Sequence, residues 1–161
     1  MRVYWLDANV YIQAANGPYP FDLAPKFWMF LDEQLQAGRI RSPKMVFEEV
    51  TDYDDFLAKW AKQRRQMGLG VTANRDVQDC FGRIVNYVYA NYAQHHAEEF
   101  CRGGDGWVIA HAMAMGDDGI VVTHETLRSA KGKIKVPTIC DVFAVRWINL
   151  YEMLRDLGFK F

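Results

Sequence analysis

The run "GIVVT" at residues 119–123 constrains this chain most, because it is a continuous β-branched stretch with no polar and apolar alternation. A strand of that kind has both faces covered, as a central strand of a parallel sheet does. Residues 2–6 read as a second short buried strand, since Val3, Trp5 and Leu6 are strand formers without helical spacing. Helical patterns fill the space between them. Pro25 suits a first helical turn, Phe27, Phe30, Leu31 and Leu35 recur at three and four residues, and Gly38 ends that helix. "RIRSP" is a brief extended piece. A helix from about Pro43 then carries Val46 and Val50 on one face, and "DYDDFLAKWAKQRR" is expected to continue it with Phe56 and Trp60 inward. Val77, Phe81, Ile84 and Val88 space a further helix, and "RGGDGWVIAHAMAM" starts another with Trp107, Val108 and Ala112 inward. "KIKVPTIC" reads as extended, and "VFAVRWINLYEMLRDLG" as a closing helix stopped by Gly158.

Short strands separated by helices imply an α/β chain, a three-layer α/β/α arrangement around a mostly parallel central sheet. At 161 residues, half of them hydrophobic and 14% aromatic, the expectation is one folded domain over residues 1–161. No apolar run approaches the roughly 20 residues that span a bilayer, and no signal-peptide pattern opens the chain. Cys80, Cys101 and Cys140 are widely separated with no CxxC spacing, which suits reduced thiols and a cytoplasmic location.

In parallel sheets, sites form beyond the carboxyl ends of the strands. Asp7 lies at one such end and Glu125 lies two residues beyond "VVT". Glu49 sits on the helix after "RIRSP", and Asp105 follows a glycine pair at a helix start. Each has an ordinary reading as a cap or a solvated acid, and Glu48 competes with Glu49 for the inward position. If the four converge, their mutual repulsion raises their pKa values unless cations neutralise them. Mg²⁺ or Mn²⁺, hard ions with oxygen ligands, are the natural partners, and such ions drive attack of water on a phosphodiester.

The order of these residues resembles the PIN-domain family of metal-dependent nucleases. The resemblance rests on "LDANVYI", similar to a D-x-N/S/T after the first strand, and "SPKMVFEEV", similar to V-x-x-E before an apolar residue. It rests equally on "DGWVIAHAMAMG", similar to a D-x-x-I-x-A-x-A helix, and "GIVVTHE", similar to a v-v-T-x-D strand end. The resemblance implies a PIN-like fold, an endoribonuclease with Asp7, Glu49, Asp105 and Glu125 as catalytic and metal-holding acids, and Asn9 and Thr123 as polar supports. Its register, counted from Val46, selects Glu49 over Glu48. Glu125 stands where the family usually has an aspartate, one methylene shorter. Small PIN proteins are often toxins of toxin–antitoxin pairs, so RNA, a small antitoxin protein and a second copy in a homodimer are the implied partners, with no membrane association. Trp28, Phe30, Trp60 and Trp147 are then candidates to meet the antitoxin, with core packing as their default role.

Two basic groups stand out: "KWAKQRR" and the stretch with Arg128, Lys131, Lys133 and Lys135, the second placed to hold RNA phosphates beside the metals. The adjacent histidines of "HHAEEF" lack HExxH spacing, and His124 reads as a satisfied structural histidine rather than a ligand. Asp141 reads as a cap of the last helix. No glycine-loop nucleotide motif is present. A haloacid-dehalogenase-type phosphatase would need a second aspartate where Asn9 stands. A ribonuclease-H-like nuclease would open with an antiparallel meander, whereas helical sequence follows the first strand directly. A PIN-like module that binds RNA or protein without efficient cleavage is the main alternative, kept open by Glu125.

Overall fold

The computed structural model describes residues 1–127 and 132–160. Four strands, β1 (Val3–Leu6), β2 (Ile40–Arg41), β3 (Gly119–Val122) and β4 (Arg146–Ile148), form one sheet in the order β2-β1-β3-β4. Every pairing is parallel, with Val3 opposite Gly119, Tyr4 opposite Ile40, and Ile120 opposite Arg146. All residues of β1 and β3 are buried, as the unbroken apolar runs require of strands covered on both faces. The edge strands β2 and β4 are only two and three residues long, which leaves little free backbone at the rims. The all-parallel sheet sets aside the antiparallel opening of a ribonuclease-H-like chain.

The helices are α1 (Ala8–Asn16), α2 (Pro25–Gln36), α3 (Lys44–Val50), α4 (Phe56–Lys62), α5 (Arg75–Asn91), α6 (Gln94–Arg102), α7 (Asp105–Ala114), α8 (Val136–Val142) and α9 (Leu150–Asp156). Adjacent strand residues point to opposite faces, and β1 shows which helix covers each. Trp5 stacks on His111 of α7 with ring centroids 4.5 Å apart, while the Tyr4 hydroxyl donates to Asp156 at the end of α9 at 3.3 Å. Helices therefore cover both faces, giving the expected three layers. On the α7 side, α5 packs outside α7 as a further layer.

Several local expectations are corrected. The helix from Pro43 does not run on through "DYDD": α3 ends at Val50, a turn follows, and Asp55 caps a new helix by accepting from the Ala58 amide at 2.8 Å. That restart turns Phe56 outward, where it is 77% exposed, although Trp60 points inward as expected. "KIKVPTIC" is not a strand. Pro137 sits in the first turn of α8, where its missing N–H is harmless. The last strand is instead β4, inside the stretch read as one closing helix, and Asn149 then caps α9 through a capping box with Glu152. Asp141 lies within α8 and accepts from the Trp147 indole at 3.0 Å, so it caps nothing in α9.

Trp28 and Trp60 belong to the core, with centroids 5.0 Å apart between α2 and α4, and not to a partner surface. Phe30 and Trp147 are half-buried against the core. Arg64, from the first basic group, bonds Asp32 of α2 at 2.8 Å and lies over Trp60, so it fastens α4 to α2.

Candidate metal centre at the carboxyl edge of the sheet

Because the strands are parallel, the residues just after β1, β2, β3 and β4 meet along one edge. The backbone records this directly: Asp7 N–H donates to Val122 O at 3.3 Å and Thr123 N–H to Ile148 O at 3.0 Å. Beneath that edge, the Ser42 hydroxyl after β2 donates to Leu6 O at 2.8 Å and meets the Tyr11 hydroxyl at 2.7 Å. This buried chain of bonds sets the height of β2 and α1 against the end of β1.

Asp7 has two roles. Its Oδ1 caps α1 by accepting from Val10 N–H at 3.1 Å, and its Oδ2 is buried with no hydrogen-bond partner among the described residues. Burial raises its pKa to about 7, with the charges of Glu125 and Glu49 adding to the rise. The Thr123 hydroxyl and the Val10 amide draw it back down, but Thr123 makes no full hydrogen bond to Oδ2. Asp105 is the first residue of α7, and Gly104, not Asp105, occupies the cap position. Burial lifts Asp105 to about 8, reinforced by Asp7, Glu125 and Glu49 and opposed by Lys133.

Glu49 is the inward acid of α3, and Glu48 points out to an exposed pair with Lys44 at 3.9 Å. Glu49 Oε1 accepts from the Gly104 amide, and burial raises its carboxyl above the usual range. The glycine pair explains itself here. A Cβ at Gly103 or Gly104 would lie 2.9 or 3.0 Å from Glu49 Oε1. Locally "GG" marks only a helix start, whereas its spatial partner is an acid more than fifty positions earlier.

Glu125 receives a role the sequence did not disclose. Its Oε2 accepts from Val136 N–H at 2.8 Å at the start of α8, and its own N–H donates to Thr123 Oγ1 at 3.1 Å. The extra methylene over aspartate lets one carboxylate reach α8 while its charge is felt by Asp7 and Asp105. Thr123 is fully buried, and Asn9 is exposed on the wall of a cleft of about 510 Å³ that also holds Glu49, Asp105 and Arg102. The expected satisfied histidine, His124, has a buried Nε2 with no hydrogen-bond partner among the described residues, and burial lowers its pKa. Among the expected RNA-holding residues, Lys133 is exposed and pulls on Asp105, and Lys135 precedes α8. Arg128 and Lys131 lie outside the described residues.

The four acids are thus brought within electrostatic reach of one another from four separate elements. Among the described residues, no three His, Cys, Asp or Glu side chains already stand as a ligand set. The donor chemistry nonetheless suits a hard divalent cation. Every candidate is a carboxylate, one buried oxygen has no partner among the described residues, and burial together with the neighbouring carboxylates raises the pKa values of Asp7 and Asp105. Asp7, Glu49, Asp105 and Glu125 are the groups that would hold it.

A protein-family profile described as "Domain of unknown function (DUF4411)" matches residues 4–161. No curated protein matches the chain in sequence. Solved structures do match in shape. VapBC-1 from nontypeable Haemophilus influenzae superposes with a TM-score of 0.55 at 14% identity, covering 91% of this chain and 97% of that one. VapBC2 from Rickettsia felis, bound to a DNA fragment from its promoter, superposes with a TM-score of 0.53 at 11% identity, covering 91% and 98%. Both are PIN-domain structures, and this chain has their fold.

Proposed function

The chain belongs to the DUF4411 family and carries the PIN fold, and from that premise we propose that it is a metal-dependent endoribonuclease. The observation that carries the reading is the meeting of four carboxylates at one sheet edge around the unpartnered Oδ2 of Asp7. Asp7, Glu49, Asp105 and Glu125 would hold Mg²⁺ or Mn²⁺, which would supply activation of the attacking water and stabilisation of the leaving oxygen of an RNA phosphodiester. The Val10 amide fixes the Asp7 carboxylate, the Gly104 amide fixes Glu49, and the Val136 amide fixes Glu125. Asn9 and Thr123 are polar supports beside them, and Lys133 and Lys135, with Arg128 and Lys131, draw the RNA backbone towards acids that would otherwise repel it.

Two features support a toxin role, with the chain acting in the cytoplasm as a homodimeric single domain of residues 1–161. The first is the shape shared with the VapBC structures. The second is an apolar cleft of about 940 Å³ lined by Ile12, Phe21, Val50, Phe56 and Leu57, with Asp22 and Asp55 also on its wall. It shares no lining residue with the acids and offers a docking face to a small antitoxin with apolar and basic side chains. No helix among the described residues is long and apolar enough to cross a membrane.

The test is cleavage of single-stranded RNA by the purified chain in Mg²⁺ or Mn²⁺, lost in EDTA and in Asp7→Asn. Equal cleavage by Asp7→Asn would sink the assignment. A second reading, an RNA- or protein-binding module with little nuclease activity, is favoured by one observation: Glu125 Oε2 is already engaged by Val136 N–H. Tight RNA binding without metal-dependent cleavage selects that reading. Slowed bacterial growth on expressing the chain alone, relieved by a co-expressed partner, is the outcome expected of a toxin.

A further inference from the structure

Met45, in the first turn of α3, lines two cavities at once. One is the cleft of Glu49 and Asp105. The other is a recess of about 320 Å³ between the start of α3, residues 71–73, and the flank of α7. His111 lies in its wall, 3% exposed, stacked on Trp5, with no hydrogen bond from its ring nitrogens to any described residue. Burial holds its pKa down to about 4, so the ring is neutral and offers one donor and one acceptor. Trp107 forms another wall, its ring stacked on Phe81 with centroids 3.7 Å apart. Thr72 and Gln78 are exposed polar residues at the rim, and Lys44 stands there too.

We propose that this recess is a nucleobase subsite, in which a base next to the scissile phosphate of RNA packs along Trp107 and is read by His111, Thr72 and Gln78. The proposal rests on the nuclease reading above and names how that site would select its substrate. Four observations carry it. Met45 borders both the recess and the acid cleft, which places the two side by side. Asp105, Trp107 and His111 share one helix, and the six steps from Asp105 to His111 rise roughly 9 Å, within reach of a neighbouring nucleotide. The volume is near the low end of the range of about 300–1,000 Å³ for ligand pockets, a size for one base and its sugar rather than a larger ligand. Finally, no carboxylate lines the recess, whereas the cleft beside it carries Glu48, Glu49, Asp52, Glu99 and Asp105. A strand of RNA arriving there meets aromatic surface and neutral hydrogen-bonding groups, the chemistry by which single-stranded bases are recognised.

The experiment has two arms. Short single-stranded RNAs that differ in one base are bound to the Asp7→Asn chain in Mg²⁺, with and without Gln78→Ala, Trp107→Leu or His111→Phe. Gln78 is exposed, so its variant folds regardless of the buried ring. The expected result is a base preference that Gln78→Ala and His111→Phe flatten, with affinity for the preferred RNA falling about tenfold. In the second arm, the His111 ring nitrogens are followed by NMR while a free nucleoside is added to the unsubstituted chain, and their signals move. Unchanged preference in all three variants, or His111 signals that stay still, overturns the subsite while leaving RNA cleavage intact. A chain that cuts no RNA fails the nuclease reading first, and the nucleoside titration still decides whether the recess takes a base.

Discussion

Glu49 Oε1 accepts a hydrogen bond from the Gly104 amide, which fastens the acid of α3 to the first turn of the helix that carries Asp105. Two acids distant in sequence are thus held by one backbone group. The bond exists because two successive residues lack a Cβ.

Gly104→Ala tests that arrangement directly. The added methyl would lie 2.9 Å from Val46 Cγ2 and 3.0 Å from Glu49 Oε1, at a buried position of ordinary helical backbone. The penalty is therefore steric, and overpacking of this kind costs about 1–3 kcal/mol. Urea denaturation is expected to show that loss, together with weaker Mn²⁺ binding by isothermal titration as Glu49 is pushed aside.

The acids also set a pH profile. Asp7 and Asp105 are raised from 3.8 to about 7 and about 8 in the folded chain. Each keeps its proton longer folded than unfolded, so its contribution is complete below about pH 4 and lost as pH rises through 7 and 8. In EDTA, stability should fall between pH 5 and pH 8.5 by a few kcal/mol at most. Mn²⁺ should restore much of that loss at pH 8 and little at pH 5, where protons already neutralise the site. A flat denaturation profile in EDTA would contradict this.

Asp7→Asn separates the two roles of that side chain. Its amide oxygen still accepts from Val10 N–H, while the buried charge disappears. The expected outcome at pH 8 is a metal-free chain at least as stable as the parent, with a melting temperature that no longer responds to Mn²⁺.

Glu125 is resolved by a pair of substitutions. Glu125→Gln keeps an oxygen for Val136 N–H, so stability should hold while Mn²⁺ affinity drops. Glu125→Asp is one methylene too short for that bond, and loss of such a cap costs about 0.5–2 kcal/mol. Equal stability of the two variants by thermal melting would show that the contact to α8 contributes nothing.

Tyr11→Phe and Ser42→Ala probe the edge beneath the site. Tyr11→Phe removes one buried hydrogen bond and should cost about 1 kcal/mol, while Ser42→Ala removes both bonds of the Tyr11–Ser42–Leu6 chain and should cost about 2 kcal/mol. The double variant should cost less than the sum, because Ser42 is the shared partner.

The strands β1 and β3 and the helices α2, α5 and α7 were readable because their burial is written in local periodicity. The positions of Asp7 and Glu125 were readable for the same reason, as each follows a strand whose end is marked by a change in polarity. The C-terminal third misled. "KIKVPTIC" is rich in β-branched residues, yet Pro137 in a first helical turn and contact with α7 make it a helix. β4 is three residues long, too short to show a period against the helical residues around it. The tethering of Glu49 and Glu125 to distant amides left no local trace at all, since each donor lies on another element.

The strand order has a consequence for synthesis. Among the described elements β1 comes first, but its partner β3 is built from residues 119–122, and Glu125 lies beyond β3. A nascent chain that has exposed Asp7 can pair β1 with β2 early, but it lacks β3 and Glu125 until residues 119–125 have left the ribosome. Prematurely terminated products end without β3 and cannot bring Asp7 and Glu125 together. The delay follows from connectivity alone: the central strands β1 and β3 are separated by most of the chain, so the acid edge of the sheet is assembled late in synthesis.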